Sequence, residues 1–489
     1  MSWSEEERMS EHNPRKENNS LWRKNLPLII TFPFLLIVIF CFFQYWYPCH
    51  FFYQEQNQLF LWDWEYVGSY FNKPGGLSRL CGDFLTQLYY YLYAGACILT
   101  VCLMLIGLLL HSALRHFGMN RHLALTITLI VMLFLAACHF NVSYRLYNTI
   151  SVLGWVLVVW LISLIPNRWL KLSLIATALL PTYVLFGYPH IRQLQKPNFV
   201  LEQDFAIDSE YRFGNYDRVV NMVENTKVLT EQMLFFYNLV QAQRGELPDH
   251  LLQFTPNQLG TFYQIGPETP RLVIINMNEL YWALGDMTFA ERAAMMTNVF
   301  AQENRNVRMI KRLAECAIVS KDTIASQKFL RLLSKTLVYR HWAVNAKKGL
   351  FNQTEGHQYA LKMQQVPQRD TITTSDNAHF IMVQLLDRNP QNTVALDYML
   401  CSDLLLRDIE SFKRDYDRYC IETNRPRIKK LYQEALCIWL AGSEAPPELW
   451  EQYILQPEII QRFQQYNQQR GSSRFKDTYW YFFDKTRNI

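Results

Sequence analysis

Charge is almost missing from the long apolar runs of this chain. There is none from Leu26 to Tyr45, Leu85 to His111, Leu123 to Phe140 or Ile150 to Ile165, and only Lys171 at the edge of a fifth run, Leu170 to Phe186. Pumps and proton-coupled carriers keep ionisable groups at mid-membrane because those groups do the coupling, so the sequence argues against active transport. A channel lining is equally thin, with little beyond Thr, Ser and Gln. An excess of positive charge is also lacking: a net +5 over 489 residues makes no electrostatic case for nucleic acid. Ten cysteines, none in C-x-x-C spacing, exclude a disulfide-built fold and a zinc-ribbon site. The P-loop, G-x-G-x-x-G, H-E-x-x-H and G-x-S-x-G signatures are absent, and with them the commonest routes to nucleotide, zincin or α/β-hydrolase chemistry. The eleven histidines are dispersed and suggest neither a metal cluster nor a catalytic pair.

What is present is a sharp change of character near residue 191. Before it lie the five apolar runs, each close to the roughly 20 residues that cross a bilayer. Gln44-Tyr45-Trp46-Tyr47 places aromatic rings at the end of the first, as an interfacial belt requires. Pro33 and Pro181 are candidate kinks. About 25 polar residues precede the first run and no small-residue cleavage site follows it, so it reads as a retained anchor. Arg15, Lys16, Arg23, Lys24, Arg115, Arg121, Arg168 and Lys171 fall on one side, against Lys73, Arg79 and Arg145 on the other. The positive-inside rule then predicts a cytoplasmic N-terminus and, with five spans, a second half outside the cytoplasm. His139 and Asn141, near the end of the third run, are expected at the membrane interface.

From Arg192 onward the chain is an ordinary charged helix former. Residues 191–215 read as a connector, and Lys196 to Tyr216 as a strap entering the second half. Tyr216 to Asn225 and Glu231 to Arg244, stopped by Gly245, form one predicted helix pair. Asn306 to Ser320 and Thr323 to Tyr339 form the clearest, joined by Lys321-Asp322; a later pair starts at Asn392 and turns at Arg407-Asp408. Lys429 to Leu440 is a further helix, and Leu272 to Ile275 is the one short strand candidate. Paired helices with alternating small and large apolar residues, such as Ala317, Ala325 and Phe329, cannot bury their own faces and need stacked neighbours.

The expected fold is therefore all-α. It comprises an N-tail (1–25), a transmembrane helix bundle of about five spans (26–190, with an outer loop at 46–84), the connector and a degenerate, tetratricopeptide-like α-solenoid (216–489).

The loop Asn72-Lys73-Pro74-Gly75-Gly76-Leu77, the segment Phe84 to Tyr90 with Gly95-Ala96, the helices Arg308 to Tyr339 and Ala395 to Phe412, and the closing Asp477-Thr478-Tyr479-Trp480-Tyr481-Phe482-Phe483 carry a resemblance. Together they resemble an uncharacterised family of polytopic membrane proteins from Bacteroidota. That resemblance implies an inner-membrane protein with a periplasmic repeat domain and brings no chemistry with it.

Two functional readings follow. The first is a membrane-anchored scaffold whose repeats meet a cell-envelope protein, with Tyr237, Arg308, Arg312, Arg331 and Tyr398 as candidate contact residues. It calls for no cofactor, no metal and no nucleic acid, and its other partner is the lipid bilayer. The second is an envelope enzyme, resembling glycosyltransferases in placement only, working at the first outer loop. There Trp62-Asp63-Trp64-Glu65-Tyr66 and Asp83 set carboxylates beside aromatics, and Asp63, Glu65 or Asp83 would be the general base or metal ligand for a lipid-linked or sugar substrate. Against it, the same loop reads as interfacial aromatics with Asp63 and Glu65 turned to water. Cys49 and Cys81 flank this loop, and in an oxidising compartment a disulfide would close it.

Overall fold

Asparagine, aspartate and threonine set many of the helix starts among the described residues, and a recurring turn sets many of the stops. The computed structural model describes residues 30–171, 173, 174, 177, 188–254, 271–301, 305–366 and 377–485. The N-tail cations, most of the fifth apolar run and Pro181 lie outside the described residues. All regular structure among the described residues is helical. The chain divides into one unit of 1–55 and 63–202 and a second of 56–62 and 203–489.

In the first unit, α1 (Ile30–Trp46) is followed by α2 (Cys49–Gln56), and the two axes bend by 71° at the break. The break holds Pro48, which lacks an N–H and cannot continue the helix. Then come α3 (Trp64–Phe71), α4 (Gly76–Thr86), α5 (Ala94–His116), α6 (Arg121–Cys138) and α7 (Leu146–Ser163). Of these, α5, α6 and α7 are long and apolar enough to cross a membrane, and the bent α1–α2 pair would be a fourth. The second apolar run is thus split. A 3-10 turn at Gln87–Tyr90 and a left-handed Tyr93 (φ 71°) separate α4 from α5, a break that apolar composition does not reveal. Phe32, Leu36, Leu99, Leu103, Ile106 and Met132 build the core. Small residues let these helices approach closely: a Cβ on Gly82 would lie 2.6 Å from the Tyr147 backbone, and one on Gly107 would lie 2.6 Å from the Met132 sulfur.

In the second unit, Thr230, Asp286, Asn306, Asp322, Asn352, Asn377, Asn392 and Asp408 each accept a backbone N–H from the first turn of the helix they begin. Many of the stops share one construction. Gly214, Gly245, Gly285, Lys321, Gly349 and Arg407 all adopt positive φ. At each, the N–H of that residue bonds back three residues and the N–H of the next bonds back five, as Gly285 to Trp282 and Asp286 to Tyr281 do. In three of these turns, Gly285-Asp286, Lys321-Asp322 and Arg407-Asp408, the residue after the left-handed one caps the next helix at once. Successive helices therefore fold back on each other: Arg271–Leu284 on Met287–Phe300, Val307–Val319 on Thr323–Leu333, and Thr393–Leu405 on Ile409–Tyr416.

The strand expected at Leu272 to Ile275 is instead the first turn of Arg271–Leu284. A four-residue apolar run fits either period, and Leu280 and Leu284 extend it at helical spacing into the core. Thr323 to Tyr339 is shorter than expected: the helix ends at Leu333 and another, Arg340–Lys347, starts after Tyr339. The strap contains a helix, Phe199–Arg212.

Candidate functional site

The residues nominated by sequence meet different fates. Asp63 caps α3 by accepting the Glu65 N–H at 3.1 Å, while Glu65 itself is exposed. Asp83, on α4, accepts the Tyr70 hydroxyl at 2.8 Å, and Tyr70 in turn lies 3.1 Å from the Tyr66 hydroxyl. Both carboxylates thus have structural work, one at a helix end and one between α3 and α4. Cys49 and Cys81 are not joined by a disulfide. Tyr237 is wholly buried with its hydroxyl on Gln253 at 2.8 Å, and Tyr398 is wholly buried as well. Arg308 is buried too, and Arg312 nearly so, its guanidinium over the Trp282 ring at 4.3 Å. These four pack the interior and offer no contact surface; of the five, only Arg331 is exposed.

Arg308 is the centre of a buried ionic network. Its guanidinium grips Asp208 with both terminal nitrogens (2.7 and 2.8 Å) and reaches Glu279 (2.9 Å) and the Gln56 side chain (3.0 Å). Arg312 holds the other Glu279 oxygen at 2.7 Å and lies 3.3 Å from Glu315, which also takes Lys311 at 2.7 Å. Burial would raise the Glu279 carboxyl, but Arg312 and Arg308 win and hold it down at about 2. The planar fork of arginine suits this role, since it serves two carboxylates at once. The network also ties down residues 56–62. Val307 donates to the Gln58 carbonyl (3.1 Å), Asn306 to the Asn57 side chain (2.9 Å) and Trp62 to the Lys335 carbonyl (2.7 Å).

A second polar cluster lies in the first unit, around Glu202. Its carboxylate accepts the N–H groups of Cys49 and of His50 (3.2 Å), the first two of α2, and so neutralises a helix N-terminus from 152 residues away. His50 is wholly buried, its Nδ1 3.8 Å from Glu202. Nearby, the Tyr144 ring packs edge-on against His139 (4.8 Å) and His190 (5.5 Å), and His139 Nε2 shares a hydrogen bond with Thr149 at 2.8 Å. His139, expected at the interface, is wholly buried. Histidines that looked dispersed are therefore gathered by the fold.

Burial pushes the Glu202 carboxyl up to about 7, against the lowering by the Cys49 and His50 amides. Between the ordinary 4.5 and about 7 the folded chain holds a proton that the unfolded chain has shed. Stability from this group is fully present below about 4.5 and is lost as pH rises through about 7. Thermal unfolding of the full chain in detergent is expected to show this fall for the first unit, and Glu202→Gln is expected to flatten it. An unchanged slope in the variant would remove Glu202 as its cause.

The third cluster joins His379, in the first turn of Ala378–Arg388, with Asp403 and Asp415, in the last turns of Thr393–Leu405 and Ile409–Tyr416. One ligand-capable atom from each lies within 4.8 Å of the other two, and His379 Nε2 is 2.5 Å from Asp415 Oδ2. The hydrogen bond to Asp415 raises the His379 pKa against its partial burial. Burial, with Asp415 alongside, pushes Asp403 up to about 7. No local spacing announces this group, because its members are 24 and 12 residues apart on three helices.

The model of a family of unknown function, DUF6057, matches residues 23–194 and 190–486. No curated protein and no solved structure matches the chain. The two matched segments take in nearly all of the sequence, the apolar helices and the ionic network alike, so the chain belongs to the DUF6057 family.

Proposed function

We propose that this protein is a membrane-anchored scaffold whose second unit is a degenerate helical repeat offered to a protein partner in the cell envelope. The observation that carries this reading is the turn repeated at Gly285, Lys321 and Arg407, each of which folds one helix back on the one before it. A chain that reverses its helices by one device over and over builds a stack of antiparallel pairs, the architecture whose surfaces bind peptides and helices. The apolar helices α5, α6 and α7 supply the anchor. The charge bias of the flanks supports a cytoplasmic N-terminus and, with the fifth apolar run, Leu170 to Phe186, counted as a span beside the bent α1–α2 pair, α5, α6 and α7, a repeat unit on the periplasmic side of a bacterial inner membrane.

Two experiments test it. A reporter active only outside the cytoplasm, fused after Ile489, is expected to give signal, whereas a cytoplasm-only reporter is not; the reverse pattern would move the repeat unit to the cytoplasm. A photo-crosslinking residue at the exposed Arg331, in cells, is expected to capture one reproducible envelope protein. A correctly folded, membrane-inserted variant that captures nothing there or at other exposed positions of 216–440 would sink the scaffold reading.

A further inference from the structure

We propose that His379, Asp403 and Asp415 bind a divalent transition-metal ion, zinc being the representative case, which clamps three consecutive helices of the second unit. The ligand set is chemically coherent: one imidazole nitrogen and two carboxylates supply two negative charges to a doubly charged ion. Carboxylates alone would suit magnesium or calcium; the imidazole shifts the preference to zinc and its neighbours.

Zinc at its usual bond lengths spaces tetrahedral ligand atoms about 3.4 Å apart. The donor atoms here span 2.5 Å for the His379–Asp415 pair to at most 4.8 Å, so the required spacing lies inside the present one.

An independent observation points the same way. Asp403 is only 5% exposed, and its Oδ2 has no hydrogen-bond partner. A buried carboxylate oxygen left without a donor is costly, and a cation coordinated there removes the cost. The backbone holds this ligand in place: the Asp408 N–H bonds to the Asp403 carbonyl at 2.9 Å across the Arg407 turn, and the Asp408 side chain caps the helix that carries Asp415.

Access is provided by His379, whose side chain is 37% exposed and leaves a solvent side for entry and for a water ligand. Arg414 contacts both Asp415 oxygens (3.1 and 3.3 Å), but its side chain is 60% exposed and turns outward at little cost. It is the competing cation at this position.

The test uses the full chain in detergent micelles, stripped with a chelator and titrated with zinc chloride by calorimetry. Thermal unfolding is followed in parallel, with magnesium chloride as the contrast. One zinc per chain is expected, with a rise in the unfolding temperature that magnesium does not produce. His379→Gln, at a half-exposed position, is expected to keep the fold and weaken zinc binding by ~100-fold or more, since even outer-shell partners are worth 10–100-fold. Asp403→Asn is expected to raise stability without zinc, because it removes a buried charge, and to abolish the zinc increment. The gain in stability follows from burial alone; the loss of the zinc increment is the half that a purely structural role would not produce. Two results overturn the proposal: a folded wild-type chain that binds no zinc up to ~1 mM, a dissociation constant worth only about 4 kcal/mol, or His379→Gln and Asp403→Asn variants that both keep the wild-type affinity.

Discussion

Arg308→Met is expected to destabilise the second unit by about 3–5 kcal/mol, a large share of what holds an ordinary domain together. The substitution keeps bulk and removes charge. It leaves Asp208 and one oxygen of Glu279 buried without the guanidinium that now serves both, at 2.7 to 2.9 Å. Denaturant unfolding of the full chain in detergent measures the loss. The double variant Arg308→Met, Asp208→Asn is expected to recover part of it, because most of the cost lies in the orphaned carboxylate and not in the lost attraction. If the double variant is as unstable as the two single changes added together, the pair is not coupled and the network account fails. Arg308→Lys keeps the charge but has no fork, so it is expected to fall between the two.

The same network sets an acid limit. Glu279 is held at about 2 by Arg312 and Arg308, so its contribution is present above the ordinary 4.5 and is lost as pH falls toward about 2. Glu202 in the first unit works in the opposite sense. Acid is therefore expected to strengthen the Glu202 contribution between about 7 and 4.5 and to weaken the Glu279 contribution between 4.5 and about 2, each read as the part of the pH slope that Glu202→Gln or Glu279→Gln removes.

Trp480→Ala is expected to cost about 3–5 kcal/mol, and to cost it locally. Trp480 is 1% exposed and packs with Cys437, Ile459, Phe463, Tyr466 and Phe475 in a cluster distinct from the main core of the second unit. Its ring lies 5.3 Å from Phe463 and 6.0 Å from Tyr466. The closing segment is stitched on by Tyr479, whose N–H meets Glu434 (2.7 Å) and whose hydroxyl meets the Leu404 carbonyl (2.8 Å), and by Asp477 with Arg462 (2.6 Å). Amide exchange in Pro457–Gln468 and Tyr479–Lys485 is expected to accelerate while that of Arg271–Leu284 stays unchanged. Equal acceleration in both regions would show one cooperative core. Trp480→Phe keeps most ring contacts and sheds an indole N–H that has no hydrogen-bond partner, so it is expected to lose less than the alanine variant.

Much of the local structure was legible without coordinates. Asn392 caps a helix as its residue type and place suggested, the helix read from Asn306 starts there, and Gly245 ends one with a positive φ. The Lys321-Asp322 and Arg407-Asp408 turns were readable as helix reversals, although nothing in lysine or arginine announces a left-handed residue. Three misreadings share a cause. Leu272 to Ile275 looked like a strand, His139 looked interfacial and Arg308 looked like surface, because each was judged by residue type over a short window.

By itself, then, the sequence determined the division into an apolar, membrane-grade part and a charged helical part, the all-helical class and several helix ends. Those properties depend on hydropathy, period and capping within a few residues of each other. Only the tertiary structure decided that Arg308 is buried on Asp208 across 100 residues, that Glu202 caps α2, and that His379, Asp403 and Asp415 converge. An ionisable side chain reads as exposed until packing supplies both its burial and its partner, and that partner is selected by how helices stack, a choice that no local pattern records.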